Sequence, residues 1–165
     1  MTTPIEDSAT ASQTHSDTMQ SERQWWMGVL ARASLGDLEA VAEFLPSKET
    51  YRQIKKPEIG TVMVEARAGG AGRRFNFGEA TMTRCVIQLA SGELGFAYAL
   101  GRDKIKAEQA ALLDALLQKG EARVTRSILS HLKLIEAKYQ ADKERRSRKA
   151  AATKVNFFTL VRGEG

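Results

Sequence analysis

The chain has 165 residues, enough for one domain that buries a sizeable core. A single cysteine, Cys85, excludes an internal disulfide framework and any multi-cysteine metal site, and it suits a reducing, cytoplasmic setting. The net charge of +5 is concentrated in residues 138–154, where seven Lys/Arg face only Asp142 and Glu144, and the remainder of the chain is balanced.

The first twenty residues hold eight Ser/Thr, no Lys or Arg and no apolar run, which fits neither a secretory signal nor a transit peptide. Residues 1–21 are therefore predicted to be a disordered leader and residues 22–165 a single α+β domain. No stretch approaches the roughly 18 apolar residues of a membrane span, so a soluble protein with no membrane partner is expected.

Over residues 22–33, Trp26, Val29, Leu30 and Ala33 fall on one helical face, and Ser34 suits the N-cap of a short second helix carrying Leu38, Val41, Ala42 and Leu45. Pro46 stops it. From Ile59 to Ala68 the period becomes two, with Val62, Val64 and Ala66 on one face and Met63, Glu65 and Arg67 on the other, a half-buried strand. A glycine-rich connection leads to a second strand in which Thr83, Cys85, Ile87 and Leu89 share a face. The turn signal Ser91-Gly92-Glu93 opens a third, in which Leu94, Phe96, Tyr98 and Leu100 alternate with Gly95, Ala97 and Ala99. The three form an antiparallel meander covered by helices. The next helix is expected to bury Ile105, Leu112, Leu113, Leu116 and Leu117 and to end at Gly120. A long last helix carries Val124, Ile128, Leu132, Ile135 and Tyr139 before its pattern fades into the basic run.

The tail returns to apolar residues at Phe157, Phe158, Leu160 and Val161, beside Arg162. Read as a strand it is apolar on both faces, so its own domain, a partner, or both must cover it.

Four features invite a chemical reading. Gly69, Gly70 and Gly72 could present backbone N–H groups to a phosphate, with Arg67, Arg73, Arg74 and Arg84 nearby in sequence. No Walker pattern follows, and a plain hairpin connection explains the same glycines. Arg102 and Asp103 lie where a strand gives way to a helix; Asp103 reads equally as an N-cap, with Lys104 and Lys106 merely exposed. His131 has Ser127 and Ile135 at helical spacing, no acid or ligand partner, and Cys85 alternates with apolar residues; both read as structural. The basic run suits an acidic partner, a free-standing nucleotide- or nucleic-acid-binding role, or simply a solvated helix end. Tyr139 alone supplies aromatic character there, which argues against single-strand stacking and nucleic acid. No catalytic spacing emerges.

Taken together, RAGGAGRRFNFGEATMTRC at 67–85, SGELGFAYALGRDK at 91–104, AEQAALLDALLQ at 107–118 and VNFFTLVRGE at 155–164 resemble, in order and spacing, the PhnG family of the bacterial carbon-phosphorus lyase system. The resemblance runs from about Arg23 to Glu164. It implies a subunit of the enzyme that replaces the adenine of ATP with a phosphonate, forming ribose 1-methylphosphonate 5-triphosphate during phosphonate catabolism. It implies PhnI-like, PhnH-like and PhnJ-like partners, and a PhnL-like ATPase. No cofactor is expected in this chain: ATP enters as a substrate of the complex, and the iron-sulfur cluster and S-adenosylmethionine belong to the PhnJ-like radical subunit. On this resemblance Arg67, Gly69, Gly70, Gly72, Arg84 and Arg102 are candidate ligand contacts, and Phe157, Phe158, Leu160, Val161 and Arg162 a candidate interface with the PhnI-like subunit. Phe77 and Leu160 stand where the family favours Leu and Met, and Lys106 where a histidine is common, against an essential imidazole there.

Overall fold

The computed structural model describes residues 7–45, 49–69 and 71–153, with side chains from Met19 onward. Its elements are α1 (Asp7–Arg32), α2 (Leu35–Glu43), β1 (Tyr51–Arg67), β2 (Arg74–Leu89), β3 (Leu94–Leu100), α3 (Lys104–Lys119) and α4 (Ala122–Ala152). The strands form an antiparallel sheet in the order β1-β2-β3, and the fold is α+β as the periodicity predicts. No described helix is long and apolar enough to cross a membrane.

Helix α1 buries the predicted stripe of Trp26, Val29, Leu30 and Ala33. It begins at Asp7, so the segment read as an unstructured leader is helical from that residue on. Once the buried turns fix a nucleus, extending it through a Ser/Thr-rich but proline-free run costs little per residue. Ser34 caps α2 in a capping box: its hydroxyl accepts from Asp37 N–H, and the Asp37 carboxylate accepts from Ser34 N–H at 3.2 Å. Gly120 ends α3 in the left-handed conformation, φ 73°, its N–H bonded to Leu116 O.

One face of the sheet packs on α3. Thr83, Cys85, Ile87 and Leu89 of β2 and Ala97 and Ala99 of β3 are buried there. The small residues of β3 face the helix because α3 comes very close: a Cβ placed on Gly95 would lie 1.9 Å from Ala111 O. The large residues of β3 point the other way, where Tyr98 and Leu100 are exposed and Phe96 is half-buried with the Arg23 guanidinium of α1 5.6 Å over its ring.

The same close approach alters the α3 stripe. Its buried set is Ala107, Ala110, Ala111, Leu113, Asp114, Ala115, Leu116 and Leu117, whereas Leu112 is only partly covered. Ile105, predicted buried, is 59% exposed, because the face of α3 that packs inward runs through Ala107, Ala110 and Ala111 instead. On α4, Val124, Ile128 and Leu132 are buried, Ile135 packs at the margin, and the basic half runs on into solvent.

Strand β1 departs most from expectation. It starts at Tyr51 and is paired with β2 as far as Arg67↔Arg74, but β3 stops opposite Met82. Beyond that level two strands continue alone, and Val62, Met63 and Val64 are exposed rather than half-buried. Pro57 sits where the β1–β2 register shifts, between Lys55 and Glu58, a tolerable place because β1 is an edge strand.

Candidate functional site

The candidate ligand residues fall into two groups. The first surrounds the hairpin tip. Arg67 and Arg74 face each other across the last paired position, Arg74 lies 3.6 Å from Glu65, and Arg67 and Arg73 are exposed. The turn itself closes through Gly72 N–H to Ala68 O at 2.8 Å. Gly69 adopts φ 57°, and a Cβ on Gly72 would meet Ala68 O at 2.5 Å, so turn geometry alone requires both glycines. Gly70 lies outside the described residues.

The second group sits at the base of the sheet. Arg84, ten positions along β2 from Arg74, is roughly 33 Å from the tip at about 3.3 Å per residue. Sequence proximity had joined Arg67 and Arg84, but an extended hairpin separates them, and one small ligand cannot touch both. Arg84 donates to Glu58, which also pairs with Lys55 at 3.0 Å; hydrogen bonds from Lys55 and then Arg84 hold this carboxyl below its ordinary range. Arg102 is exposed just after Gly101, whose φ of 102° turns the chain out of β3. Gly101 anchors that exit by donating to Thr81 O at 2.8 Å and accepting from the Thr83 hydroxyl at 2.8 Å.

Asp103 is the N-cap of α3, accepting from Lys106 N–H at 2.9 Å. Lys106 is not merely exposed: its ammonium donates to Ala31 O at 3.0 Å, near the C-terminus of α1, and burial lowers its pKa. His131 stacks on Phe44 at 4.6 Å and places Nδ1 2.8 Å from Ser127 O, contacts that account for it structurally. Burial pushes the Cys85 thiol up to about 11, and the residue is fully enclosed.

The densest polar cluster escaped the sequence reading. Asp114 is completely buried between α1, α3 and β3. It accepts from Arg23 Nη2 at 2.9 Å, Trp26 Nε1 at 2.9 Å, Phe96 N–H at 3.0 Å and Gln118 Nε2 at 3.0 Å. Phe96 N–H belongs to the outer edge of β3, so this carboxylate satisfies the edge and pins two helices to it. The available signal was a lone acid inside AALLDALLQ: a charge in an apolar helical run must be paired.

A cleft of about 330 Å³ between α1, α2 and α4 contains Arg32, 5.1 Å over the Tyr139 ring, and the Asp37–Lys138 pair at 2.9 Å. The basic half of α4 makes ion pairs along its own surface, Arg145–Asp142 at 3.0 Å and Arg148–Glu144 at 3.7 Å, as a solvated helix end does. The apolar tail, Phe157, Phe158, Leu160, Val161 and Arg162, lies outside the described residues.

The family described as "Phosphonate metabolism protein PhnG" matches residues 21–163. The subunit PhnG of alpha-D-ribose 1-methylphosphonate 5-triphosphate synthase from Rhizobium meliloti (strain 1021) is 39% identical over 154 residues, 93% of this chain and 97% of the relative. Both comparisons extend over the α1–α3–β3 junction, the hairpin and α4, and the chain belongs to the PhnG family of phosphonate metabolism.

Proposed function

We infer that this chain is the corresponding subunit of an alpha-D-ribose 1-methylphosphonate 5-triphosphate synthase, with a role in assembly and substrate positioning. The observation that carries the reading is the near-full-length identity to the rhizobial subunit. The reaction exchanges the adenine of ATP for a phosphonate, so the enzyme is a transferase, formed with PhnI-like and PhnH-like subunits and a PhnL-like ATPase. Cleavage of the C–P bond follows on the PhnJ-like subunit. The chain acts in the cytoplasm and is inactive alone. Support for that inactivity comes from the side chains most able to do chemistry: His131 and Lys106 are engaged with backbone carbonyls, and Cys85 is enclosed as a thiol.

Two surfaces serve this role. Arg67 with the hairpin tip, or Arg84 with Arg102 at the sheet base, meets phosphate oxygens, and the roughly 33 Å between them means that a small ligand meets one group and not both. The tail from Phe157 to Arg162 docks partly on its own domain and partly on the PhnI-like subunit. The last fully buried residue of α4 is Leu132, and the helix continues to Ala152, about 30 Å further at 1.5 Å per residue.

Growth on methylphosphonate as sole phosphorus source tests the reading. A strain lacking this chain should fail to grow and be rescued by the parent sequence. Arg67→Ala or Arg84→Ala should rescue less well than Arg145→Ala, whose charge is mostly screened. Deleting residues 156–165 should abolish co-purification with the PhnI-like subunit and leave a folded domain. Normal growth without the chain would refute the assignment, and equal rescue by all three arginine variants would remove the ligand role.

A further inference from the structure

Among the described residues, the β1–β2 hairpin beyond Met82 is a two-stranded ribbon with neither face covered. Val62 and Val64 point to one face and Met63 to the other, all three exposed, and Phe77 near the tip is 72% exposed. A lone ribbon is only marginally stable in water, so apolar side chains on both faces call for a partner.

Its outer edge is equally open. Because β1 is an edge strand, one row of its backbone N–H and C=O groups has no strand beside it among the described residues. Edges are normally blunted by lysine, proline or a bulge, and the proximal part of β1 has all three at Lys55, Lys56, Pro57 and the register shift. The run Ile59-Gly60-Thr61-Val62-Met63-Val64 has neither charge nor proline.

The charges at the two ends of this run identify what pairs with it. Lys55 and Lys56 stand at one end and Arg67 at the other. Of the nearby acids, Glu58 is engaged by Lys55 and Arg84 and Glu65 by Arg74, whereas Glu79, opposite Met63, lies one strand in from the edge. A second copy paired symmetrically about this run, or parallel and in register, does not fit. Antiparallel pairing centred on Thr61 and Val62 sets Arg67 of each copy against Lys56 of the other, and parallel pairing in register sets Arg67 beside Arg67; like charges directly opposite are unfavourable. The chain's own tail fits no better, since Lys154 and Arg162 flank its apolar residues.

We propose that the Ile59–Val64 edge receives an extended segment of another synthase subunit, apolar at its centre and acidic at both ends, which adds a strand to β1 and shields the ribbon. Backbone hydrogen bonds supply the attachment, and the acidic ends meet Lys56 and Arg67. This rests on the assignment above as a synthase subunit.

The test uses the assembled complex. A photo-crosslinking phenylalanine analogue at Met63 should join this chain to one segment of a different subunit, and sequencing the linked peptide should show acids flanking an apolar stretch. A link to a second copy, to residues 154–165 of the same chain, to a segment without acidic ends, or to nothing overturns the proposal. The Val62→Lys/Val64→Lys double variant should melt within about 2 °C of the parent, because both sites are exposed. Its recovery with the other subunits should fall at least about tenfold, whereas Leu134→Lys, on exposed α4 surface, should leave recovery unchanged. Undiminished recovery of the double variant refutes the edge proposal while subunit membership stands. If the parent chain itself fails to co-purify with the synthase, membership fails and this inference falls with it.

Discussion

Replacing Asp114 with alanine is the sharpest perturbation of the fold. The substitution leaves Trp26 Nε1 and Phe96 N–H, 2.9 and 3.0 Å from the lost oxygens, without their acceptor. Each stranded buried donor costs about 1–3 kcal/mol. The Arg23 side chain is 33% exposed and partly regains water, so its loss falls at the low end for a broken pair. The two stranded donors alone sum to about 2–6 kcal/mol, and at roughly 2–4 °C per kcal/mol for a domain of this size the melting temperature should fall by at least about 4 °C and by as much as about 24 °C. Asp114→Asn keeps one acceptor oxygen but turns an NH2 toward other donors, and should lie between parent and alanine variant at a cost of about 2–3 kcal/mol. Thermal unfolding followed by circular dichroism measures both. An alanine variant melting within about 2 °C of the parent would refute the view that this carboxylate joins α1 and α3 to the β3 edge.

Gly95→Ala forces a methyl to within 1.9 Å of Ala111 O and should leave little soluble folded protein, whereas Gly60→Ala, with nothing within 4 Å, should melt within a few degrees of the parent. Cys85, its thiol pushed up to about 11 and fully enclosed, should react with a coloured disulfide reagent at pH 8 at least about a hundredfold more slowly in the native chain than in urea; comparable rates would show the strand to be open. The Asp37 carboxyl is lowered from its ordinary value of 3.8 by hydrogen bonds from Ser34 and Lys138, so the stability it supplies is full above that value and is lost as pH falls through its folded pKa. Asp37→Asn should therefore destabilise by about 0.5–1 kcal/mol at pH 7, and the gap should close toward pH 3; a pH-independent gap would contradict the assignment.

Element order, the meander, the N-caps Ser34 and Asp103 and the αL stop at Gly120 were legible because each is written locally, in a period of two or 3.6 or in one cap residue. Distances between segments were not. The closeness of α3 to β3 is a property of Gly95 meeting Ala111 and Ala115, eighteen or so positions away, and it decides that small residues are inside and that Tyr98 and Leu100 are outside. Alternation showed that Val62 and Met63 occupy opposite faces, but not that the sheet narrows to two strands there, because that depends on where β3 ends. Arginines grouped by sequence proximity were separated by the length of the strand between them. Asp114 was hidden for a related reason: its donors come from α1, β3 and α3, and only the assembled junction brings them together.

Adenine release tests the central claim most directly. ATP and methylphosphonate should yield adenine with the reconstituted synthase, no adenine with this chain alone, and none with the remaining subunits until the chain is added back. Adenine formed by the isolated chain, or undiminished release by a complex that lacks it, would contradict its role as an assembling and positioning subunit.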